Sequence, residues 1–308
     1  MSAASAVART LLALLGWAAF AAGVNAQDAA GVEALSGTLK KIRSTGAITI
    51  GFRDASVPFS YLGPGRKPIG YSIDICLAIV EQVKAELGTD AITVKYLPVN
   101  PQTRIPMMVD GTVDLECGST TNNTERQKQV AFSPIYFVSG TRLMVKRGSK
   151  FRSYRDLKGH SVAVTEGTTN EAALDAVNSR EGLGIDVVAF RDHDQSFAAL
   201  AAGRVDAWAS DDALLYAQAA ESANPRGYAV LSDYLSYDPY GIMFRKNDPA
   251  FATLVRRTFE QLAASRELSR LYDQWFLHKL PSGRTLGIAM SPQLESIFES
   301  LGQPTATE

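Results

Sequence analysis

Strand-like and helix-like segments alternate along most of this sequence. The strand-like segments are short and apolar, and they comprise residues 47–52, 92–97, 113–116, 161–165, 186–190, 205–210 and 228–231. The helix-like segments between them include residues 72–87, 104–109, 170–178 and 195–202. Such alternation is typical of proteins in which parallel strands form sheets with helices on both faces. The sequence therefore predicts an α/β fold.

The N-terminal 26 residues have the pattern of an export signal. Arg9 gives a weakly positive start, residues 11–22 are apolar, and Ala26 ends a short cleavage segment before Gln27. The apolar stretch is too short to span a bilayer. We therefore expect cleavage after Ala26 and export of a soluble protein, with an uncleaved N-terminal anchor as the less favoured alternative. No Cys follows the cleavage site, which excludes a lipid anchor there.

The mature chain is too long for one small core, and two extended segments indicate where it divides. Residues 136–146 and 240–245 each contain a Gly within an extended apolar stretch. Two such crossings predict a hinge, at which the chain leaves one lobe and later returns to it. We expect residues 27–139 and 240–308 to form lobe 1, and residues 140–239 to form lobe 2.

Charge and cysteine content narrow the class of protein further. The chain carries 31 Lys and Arg against 32 Asp and Glu, a net charge of −1, which argues against nucleic acid or an anionic membrane as a partner. Its two cysteines, Cys76 and Cys117, either pair in an oxidising compartment or remain as buried small apolar residues. We favour the unpaired state. Without a cluster of His residues the two do not predict a metal site.

Two further patterns concern packing. Residues 247–249 (Asn-Asp-Pro) predict a capped helix start, and apolar spacing continues this helix to about residue 277 as a tail packed on the core. Residues 105–114 and 197–206 resemble each other, because each has a short helix and a Gly before Val-Asp and an apolar strand. The repeat is either a common feature of α/β folds or a sign of two similar lobes whose strand ends face one cleft.

Residues 117–126 form the most informative loop. Hydroxyl and amide side chains precede Arg126, after an apolar strand and before the first turns of a helix. Ser, Thr and Asn cap helix starts, whose free N–H groups attract anions, and an Arg there can grip a carboxylate with two hydrogen bonds. The loop therefore predicts either an anion-binding site or an ordinary capped surface helix, and the segment alone does not decide between them.

No arrangement in the sequence demands catalysis. Its three His residues include one in residues 192–194 (Asp-His-Asp), but no Gly-x-Ser-x-Gly motif supplies a nucleophile for a triad. No His-x-x-x-His or Cys-x-x-Cys spacing is present, and we expect neither a metal nor a cofactor. Glu116, Glu125 and Glu166 lie near predicted strand ends. We interpret them as solvated or capping carboxylates rather than as catalytic acids.

Cationic and polar residues instead collect at the ends of predicted elements. Arg53 follows the first strand, Arg104 opens a short helix, and Arg126 lies in the loop described above. Each alone is best interpreted as a solvated surface side chain, but together they mark the edge of lobe 1 where a cleft would lie. Residues 168–169 (Thr-Thr) precede a helix of lobe 2. Residues 211–212 (Asp-Asp) end another strand, and one of them is expected to cap the following helix.

Longer motifs give a resemblance to a known family. The matching stretches are residues 53–61, 70–74, 104–106, 116–129, 167–169, 192–193, 210–214 and 240–241. In them the chain resembles the periplasmic type II solute-binding proteins of ABC importers, specifically the glutamate/aspartate-binding branch, from about residue 39 to residue 280. The stretch 116–129 is the most specific. The resemblance implies two lobes, each a sheet flanked by helices, joined by a two-stranded hinge.

The same resemblance implies which residues bind the ligand, namely Arg53, Arg104, Ser119, Thr121, Arg126, Thr169, His193 and Asp211. Arg126, Thr121 and Thr169 would hold the α-carboxylate of an amino acid. Asp211 and Ser119 would take its α-ammonium group. The head of the ligand would thus be held from both lobes.

The distal carboxylate of the ligand would face Arg53, Arg104 and His193. Three Arg against Asp211 give the cleft an excess charge of about +2, and more if His193 is protonated, which suits a ligand with two carboxylates and one ammonium group. One residue departs from the family pattern, because Pro101 replaces a Ser and removes a hydroxyl and a backbone donor. The preference among glutamate, aspartate and glutamine is therefore open.

The implied function is periplasmic binding of glutamate or aspartate by a monomer, followed by delivery to an ABC permease in the inner membrane. Neither a cofactor nor catalysis is expected. The alternatives are an enzyme on the same fold, similar to cyclohexadienyl dehydratase, and a sensor module that reports its ligand to a membrane kinase. An enzyme would need a general acid aimed at the ligand, and the full clamp of Arg126 and Asp211 argues against one.

Overall fold

The computed structural model of the chain describes residues 35–303. The predicted export signal and its cleavage after Ala26 lie outside the described residues. Within residues 35–303, no helix is both long and apolar enough to cross a membrane.

Strands and helices alternate as the sequence predicts. The strands are β1 (Ala47–Phe52), β2 (Ala55–Ser56), β3 (Ser60–Leu62), β4 (Pro68–Ile69), β5 (Thr93–Pro98), β6 (Leu115–Cys117), β7 (Val130–Phe132), β8 (Phe137–Ser139), β9 (Thr141–Lys146), β10 (Ser161–Thr165), β11 (Asp186–Phe190), β12 (Ala207–Asp211), β13 (Tyr228–Val230), β14 (Asp238–Tyr240) and β15 (Met243–Arg245). The helices are α1 (Gly37–Thr45), α2 (Tyr71–Leu87), α3 (Arg104–Val109), α4 (Thr124–Gln127), α5 (Thr169–Glu181), α6 (His193–Ala201), α7 (Asp212–Glu221), α8 (Pro249–Ala264), α9 (Glu267–Tyr272) and α10 (Pro292–Gly302).

Two five-stranded sheets form the framework. The first sheet has the strand order β5-β1-β6-β15-β7, and the second has β11-β10-β12-β9-β13. The first three strands in each order are parallel, whereas β15 and β9 run antiparallel to both of their neighbours. The sheets are therefore mixed, and the prediction of parallel sheets is wrong for β9 and β15. The two antiparallel strands are those that the chain enters directly from the other sheet, β9 after β8 and β15 after β14.

Helices cover both faces of the second sheet, as the alternation of strand residues requires. Successive side chains of a strand point to opposite faces. Val162 and Val164 of β10 accordingly pack in one core cluster with Leu174 of α5. Ala163, between them, packs on the other side with Leu200 of α6. Both clusters are fully buried, so β10 lies at the centre of this half of the protein.

The Asp of each repeated Val-Asp pair makes the same two hydrogen bonds, one set in each sheet. Asp114, just before β6, accepts a hydrogen bond from the backbone N–H of Thr49 in β1 (2.9 Å). Asp206, just before β12, accepts one from the N–H of Ser161 in β10 (3.1 Å). The N–H of each Asp donates in turn to the carbonyl of the same partner, at 2.9 Å in both cases. The sequence similarity therefore corresponds to one way of fixing a strand start, used once in each sheet.

Two short strands carry the chain between the sheets. β8 and β14 pair with each other in antiparallel orientation, and Gly140 and Gly241 follow them directly. A side chain at Gly140 would collide with the carbonyl oxygen of Ser236 and with the ring of Tyr234. The glycine in the first extended segment is therefore required by the close approach of the chain at this crossing.

The C-terminal region departs from the predicted single helical tail. Asp248 caps α8 as expected, because its side chain accepts a hydrogen bond from the N–H of Phe251. α8 ends at Ala264, and Arg266 adopts a left-handed φ of 62° before α9 begins. A π-helical turn (Asp273–Leu277) and then α10 follow. α8 and α9 both bury an apolar face, so the apolar periodicity of the sequence continues across the turn at Arg266. The periodicity therefore does not show that the helix ends there.

Cys76 and Cys117 form a disulfide, with their Cα atoms 6.3 Å apart. The preference for unpaired cysteines is therefore wrong. Cys76 lies on the buried face of α2, and this helix packs against β6, which ends at Cys117. The bond ties the beginning of the loop at residues 117–126 to α2.

Candidate functional site

The loop after β6 combines a helix cap with a buried cation. The side chain of Asn123 accepts a hydrogen bond from the backbone N–H of Arg126 (2.9 Å) and caps α4. α4 has only four residues, so it offers no extended helix dipole for an anion. The guanidinium group of Arg126 is buried and donates to the carbonyl of Thr121 (2.9 Å). Arg126 is therefore not a surface side chain, and the cap serves to hold it.

Buried tyrosines hold the start of the loop. The hydroxyl of Tyr136 donates to the carbonyl of Gly118, and the hydroxyl of Ser72 donates to the same oxygen at 2.8 Å. The hydroxyl of Tyr71 donates to the carbonyl of Tyr136 (3.1 Å), and the two rings pack edge to face. These side chains are fully buried. They fix the backbone from which the polar side chains of the loop project.

Arg53 and Arg104 are almost completely buried, with 4% and 3% of their surface exposed. Nη1 of Arg104 donates to the hydroxyl of Thr120 (2.6 Å), and its Nε has no hydrogen-bond partner among residues 35–303. Burial lowers the pKa of both groups, and for Arg53 repulsion from Arg104 adds to the fall, to about 10. Neighbouring buried cations are costly unless anions compensate them.

Glu116 supplies part of that compensation, so its interpretation as a solvated or capping carboxylate is wrong. Its side chain is fully buried, and Oε2 accepts a hydrogen bond from the hydroxyl of Thr120 (2.6 Å). Its negative charge opposes the fall in pKa that burial imposes on Arg53, Arg104 and Arg126. The charge count from three arginines and one Asp omitted this carboxylate and is too high by at least one unit.

Thr121 and Thr169 meet between the two sheets, where their hydroxyl oxygens lie 3.1 Å apart. Thr121 donates its own proton to Oδ1 of Asp238 in β14 (3.1 Å), so Thr169 is the donor to Thr121. Thr169 is the first residue of α5, which Thr168 caps. Thr169 and Thr121 thus belong to one series of hydrogen bonds that ends at Asp238 of β14.

Asp211 ends β12 with a buried carboxylate that does not cap α7. The side chain of Asp212 accepts the hydrogen bond of Ala213 N–H instead (2.7 Å). Oδ1 of Asp211 accepts a hydrogen bond from Nδ2 of Asn170 (3.2 Å). Burial, and then the charge of Asp238, raises the pKa of Asp211 to about 7. An ammonium group beside this carboxylate would restore its ionised form.

His193 begins α6 and is buried. Its Nδ1 lies 2.9 Å from the hydroxyl of Thr165, which lies 3.0 Å from the hydroxyl of Ser196. Burial, and then repulsion from Arg53 and Arg104, lowers the pKa of His193 well below 6.5. The imidazole is therefore neutral near pH 7, and it does not add the extra positive charge that protonation would bring.

The turn before α3 reaches across to the second sheet. Gln102 donates from Nε2 to the carbonyl oxygen of Glu166, which follows β10, at 2.8 Å. Its neighbour Pro101 is buried at the same turn and carries no hydroxyl. The departure from the family pattern therefore lies next to a contact between the two halves of the site.

Seven of the eight predicted residues, all except Ser119, are linked in one region by hydrogen bonds or by the effect of their charges on each other's pKa. Ser119 lies buried in the loop, next to Thr120. The region can hold anionic groups on three arginines and a cationic group on Asp211. No group of three or more His, Cys, Asp or Glu within the described part of the chain is arranged to hold a metal ion.

The profile of a family described as bacterial extracellular solute-binding proteins, family 3, matches residues 48–278. This range covers most of the 308-residue chain and includes every candidate residue of the site. The chain belongs to this family. A solute-binding protein requires a buried polar site that grips a small molecule, and the site described above has that character.

Two relatives of this solute-binding protein are named for the ligands they bind. The L-glutamate/L-aspartate-binding protein of Pseudomonas aeruginosa is 47% identical over 269 residues, which cover 86% of this chain and 89% of the relative. The glutamate/aspartate import solute-binding protein of Escherichia coli K12 is 40% identical over 288 residues, which cover 93% and 95%. Both relatives are binding proteins, and this chain is accordingly a binding protein and not an enzyme.

A solved structure agrees with the predicted fold class of the solute-binding protein. An ancestral arginine-binding protein bound to arginine matches it with a TM-score of 0.68 at 29% identity, over 75% of this chain and 98% of that protein. The shared fold is an α/β architecture.

Several polar residues of the site are not predicted from the sequence as site residues, namely Gln102, Glu116, Thr120, Asn170 and Asp238. For Glu116 a signal exists, because a charged residue stands inside the apolar strand end Leu115–Cys117. Glu125 and Glu166, interpreted in the same way, are exposed. Asp238 has no such signal, because its place in the site depends on the pairing of β14 with β8.

Proposed function

We propose that this solute-binding protein binds an acidic amino acid, glutamate or aspartate, in the periplasm and delivers it to an ABC permease in the inner membrane. The observation that carries the proposal is the burial of Arg53, Arg104 and Arg126 in the same region as a carboxylate, Asp211, whose pKa is raised to about 7. A ligand with two carboxylates and one ammonium group brings the charges that these side chains call for.

The α-carboxylate and α-ammonium group of the ligand bind near Arg126 and Asp211. Burial lowers the pKa of Arg126 to about 9, and a carboxylate paired with the guanidinium group would reverse that shift. The hydroxyls of Thr121 and Thr169 and that of Ser119 complete this end. Thr169 also starts α5, whose first N–H groups have no partner within the helix. A carboxylate at this position receives donors from both sheets.

The distal carboxylate binds between Arg53 and Arg104, with neutral His193 beside them. Allowing for Glu116, this end keeps a net charge of about +1, which a single ligand carboxylate neutralises. A lysine or arginine side chain would instead add a third cation to a buried pair of cations. A neutral side chain would leave the arginines without compensation.

Binding closes two lobes by a hinge. In this proposal lobe 1 comprises residues 27–139 and 240–308, and lobe 2 comprises residues 140–239. The first sheet contains no strand from residues 140–239, and the second sheet contains only strands from that range, which supports the division within the described chain. β8 and β14 are the two connections, and rotation about them would bring Thr169 to Thr121.

The names of the relatives support the ligand, since two of them are described as glutamate- and aspartate-binding at 47% and 40% identity. The word import in the name of the Escherichia coli protein supports a permease as the partner. The periplasmic location rests on the export signal in residues 1–26. The protein acts as a monomer, which gel filtration with and without ligand checks.

Calorimetry of protein freed of bound ligand tests the proposal. Glutamate and aspartate should bind, glutamine more weakly, and lysine not at all. Arg126→Ala should abolish binding of every amino acid, because it removes the partner of the group they share. Arg43→Ala, at an exposed position in α1, is the matched control and should bind as the wild type does. Wild-type affinity for glutamate in Arg126→Ala, or a lysine-binding wild type, would overturn the proposal.

A further inference from the structure

Arg104, Thr120 and Glu116 form one hydrogen-bonded chain. Thr120 gives its only hydroxyl proton to Oε2 of Glu116 (2.6 Å), so it accepts the hydrogen bond of Arg104 Nη1 (2.6 Å). The direction of the chain is fixed, because a guanidinium group only donates and a carboxylate only accepts. Arg104 is therefore held at a distance from Glu116 by a hydroxyl, rather than in a direct ion pair.

The second oxygen of Glu116 lies on the side of Gly118, close to the side chain of Arg53. Oε1 is buried and has no hydrogen-bond partner among the described residues. A side chain in place of Gly118 would collide both with this oxygen and with Cγ of Arg53 (2.9 Å), so the glycine leaves room for the two to approach. The charge of the carboxylate thus acts on both Arg53 and Arg104, and among the described residues it forms a direct hydrogen bond or ion pair with neither.

We infer that Glu116 is a positioning residue that sets how strongly the distal end of the site prefers a carboxylate over an amide. The inference rests on the proposed function and assigns to one residue the size of the preference for glutamate over glutamine, which that function does not specify. Glu116 lowers the net charge beside the ligand's side chain and holds Arg104 through Thr120. Its indirect link to Arg104 leaves the arginine's remaining N–H groups, Nε among them, for the ligand.

The single negative charge of Glu116 determines how strongly the distal end attracts a ligand carboxylate. With Glu116 in place, the two distal arginines act as a net charge of about +1, and a neutral amide is rejected only moderately. Without that charge they act as about +2, so a ligand carboxylate gains attraction that an amide does not. The α-carboxylate and α-ammonium group are common to both ligands, so effects on them cancel in the ratio of the two affinities.

Glu116→Gln separates charge from shape, because its side-chain oxygen can still accept the hydrogen bond of Thr120. Calorimetry with glutamate and with glutamine should give a ratio of affinities, glutamate over glutamine, about tenfold higher than in the wild type. Loss of a merely structural residue would weaken both ligands together and leave the ratio unchanged. Glu116→Asp retains the charge, and its ratio should stay near that of the wild type.

Glu125→Gln is the matched control, since it removes the same charge from an exposed side chain of the same loop, paired with Lys128. It should leave the ratio unchanged. If Glu116→Gln does not fold, Thr120→Val tests the link from its other end: Glu116 then pairs directly with an arginine, and the ratio should fall several-fold.

The proposed function and the role of Glu116 are contradicted by different results. A wild-type protein that binds neither glutamate nor aspartate overturns the proposed function. A wild-type protein that binds glutamate, together with an unchanged or lower ratio in Glu116→Gln, overturns the role of Glu116 alone. An equal rise of the ratio in Glu125→Gln would show that net charge acts at long range, and it would also overturn that role.

Discussion

The hydroxyl of Thr169 donates to the hydroxyl of Thr121 across 3.1 Å, although Thr169 follows β10 of the second sheet and Thr121 follows β6 of the first. Thr121 in turn donates a hydrogen bond to Asp238 in β14, one of the two crossing strands. The contact therefore joins the start of α5 to the loop after β6 and, through Asp238, to the crossing strand β14. A hydrogen bond of this kind contributes about 1 kcal/mol.

Thr169→Val should weaken glutamate binding by roughly fivefold or more, because closure loses this hydrogen bond while the shape of the side chain is kept. Small-angle scattering should also show a larger open fraction at a fixed ligand concentration. Thr169→Ser keeps the hydroxyl and is the control, with affinity near that of the wild type. Equal loss of affinity in the Ser and Val variants would mean that the methyl packing, and not the hydroxyl, matters here.

Ligand binding should depend on pH through Asp211, whose pKa is raised from its ordinary 3.8 to about 7 by burial and by Asp238. The ammonium group requires the ionised carboxylate, so affinity should fall as pH drops below about 7, by up to roughly tenfold per unit. His193 does not contribute, since its pKa is well below 6.5, and Arg126 titrates only at about 9. Calorimetry from about pH 5 to about pH 8, a range on both sides of this pKa, measures the slope.

The same shift has the opposite sign for the stability of the empty protein. The folded state holds the proton of Asp211 more tightly than the unfolded state, so the free energy of unfolding should decrease as pH rises from 3.8 to about 7. Asp211→Asn should remove both slopes while binding glutamate weakly at every pH. A wild-type affinity that is flat across this range would exclude Asp211 as the ammonium partner.

Local patterns in the sequence determine most of the elements, but they do not determine every neighbour. The segments at β1, β10 and β11 have the predicted bounds because short apolar runs between turn residues specify buried strands. The mixed direction of the sheets depends on how the chain crosses between them, which no local pattern encodes. For the same reason the motif residues Arg126 and Thr121 are predictable, whereas Asp238 enters the site only through strand pairing.

Besides strand neighbours, the sequence does not determine which polar side chains and cysteines are buried. Arg53, Glu116 and Cys76 each have a common surface or unpaired alternative, and each turns out to be buried against a partner. For Cys76 the partner is 41 residues away, and only the packing of α2 on β6 brings the two sulfur atoms together. Long-range packing of this kind is a property of the assembled fold.

The disulfide between Cys76 and Cys117 should contribute substantially to stability, because it closes a sequence separation of 41 residues in the unfolded chain. The loop-entropy relation gives roughly 4 kcal/mol, or on the order of 10 °C in melting temperature for a protein of this size. Calorimetric melting with and without reductant measures it. The double variant Cys76→Ala/Cys117→Ala should melt with the reduced protein. An unchanged melting temperature, with two thiols titrated after reduction, would contradict this.

Arg104→Ala should separate acidic from neutral ligands. Removal of a buried, hydrogen-bonded cation opposite the distal carboxylate should weaken glutamate and aspartate by about 2 kcal/mol or more, roughly 30-fold. Glutamine should lose far less, because its amide makes no charge pair. Arg104→Lys keeps the charge but not the forked geometry and should fall between the two. Titrations with all three ligands give the comparison. If Arg104→Ala weakened them equally, Arg104 would act on the shared head of the ligand rather than on its side chain.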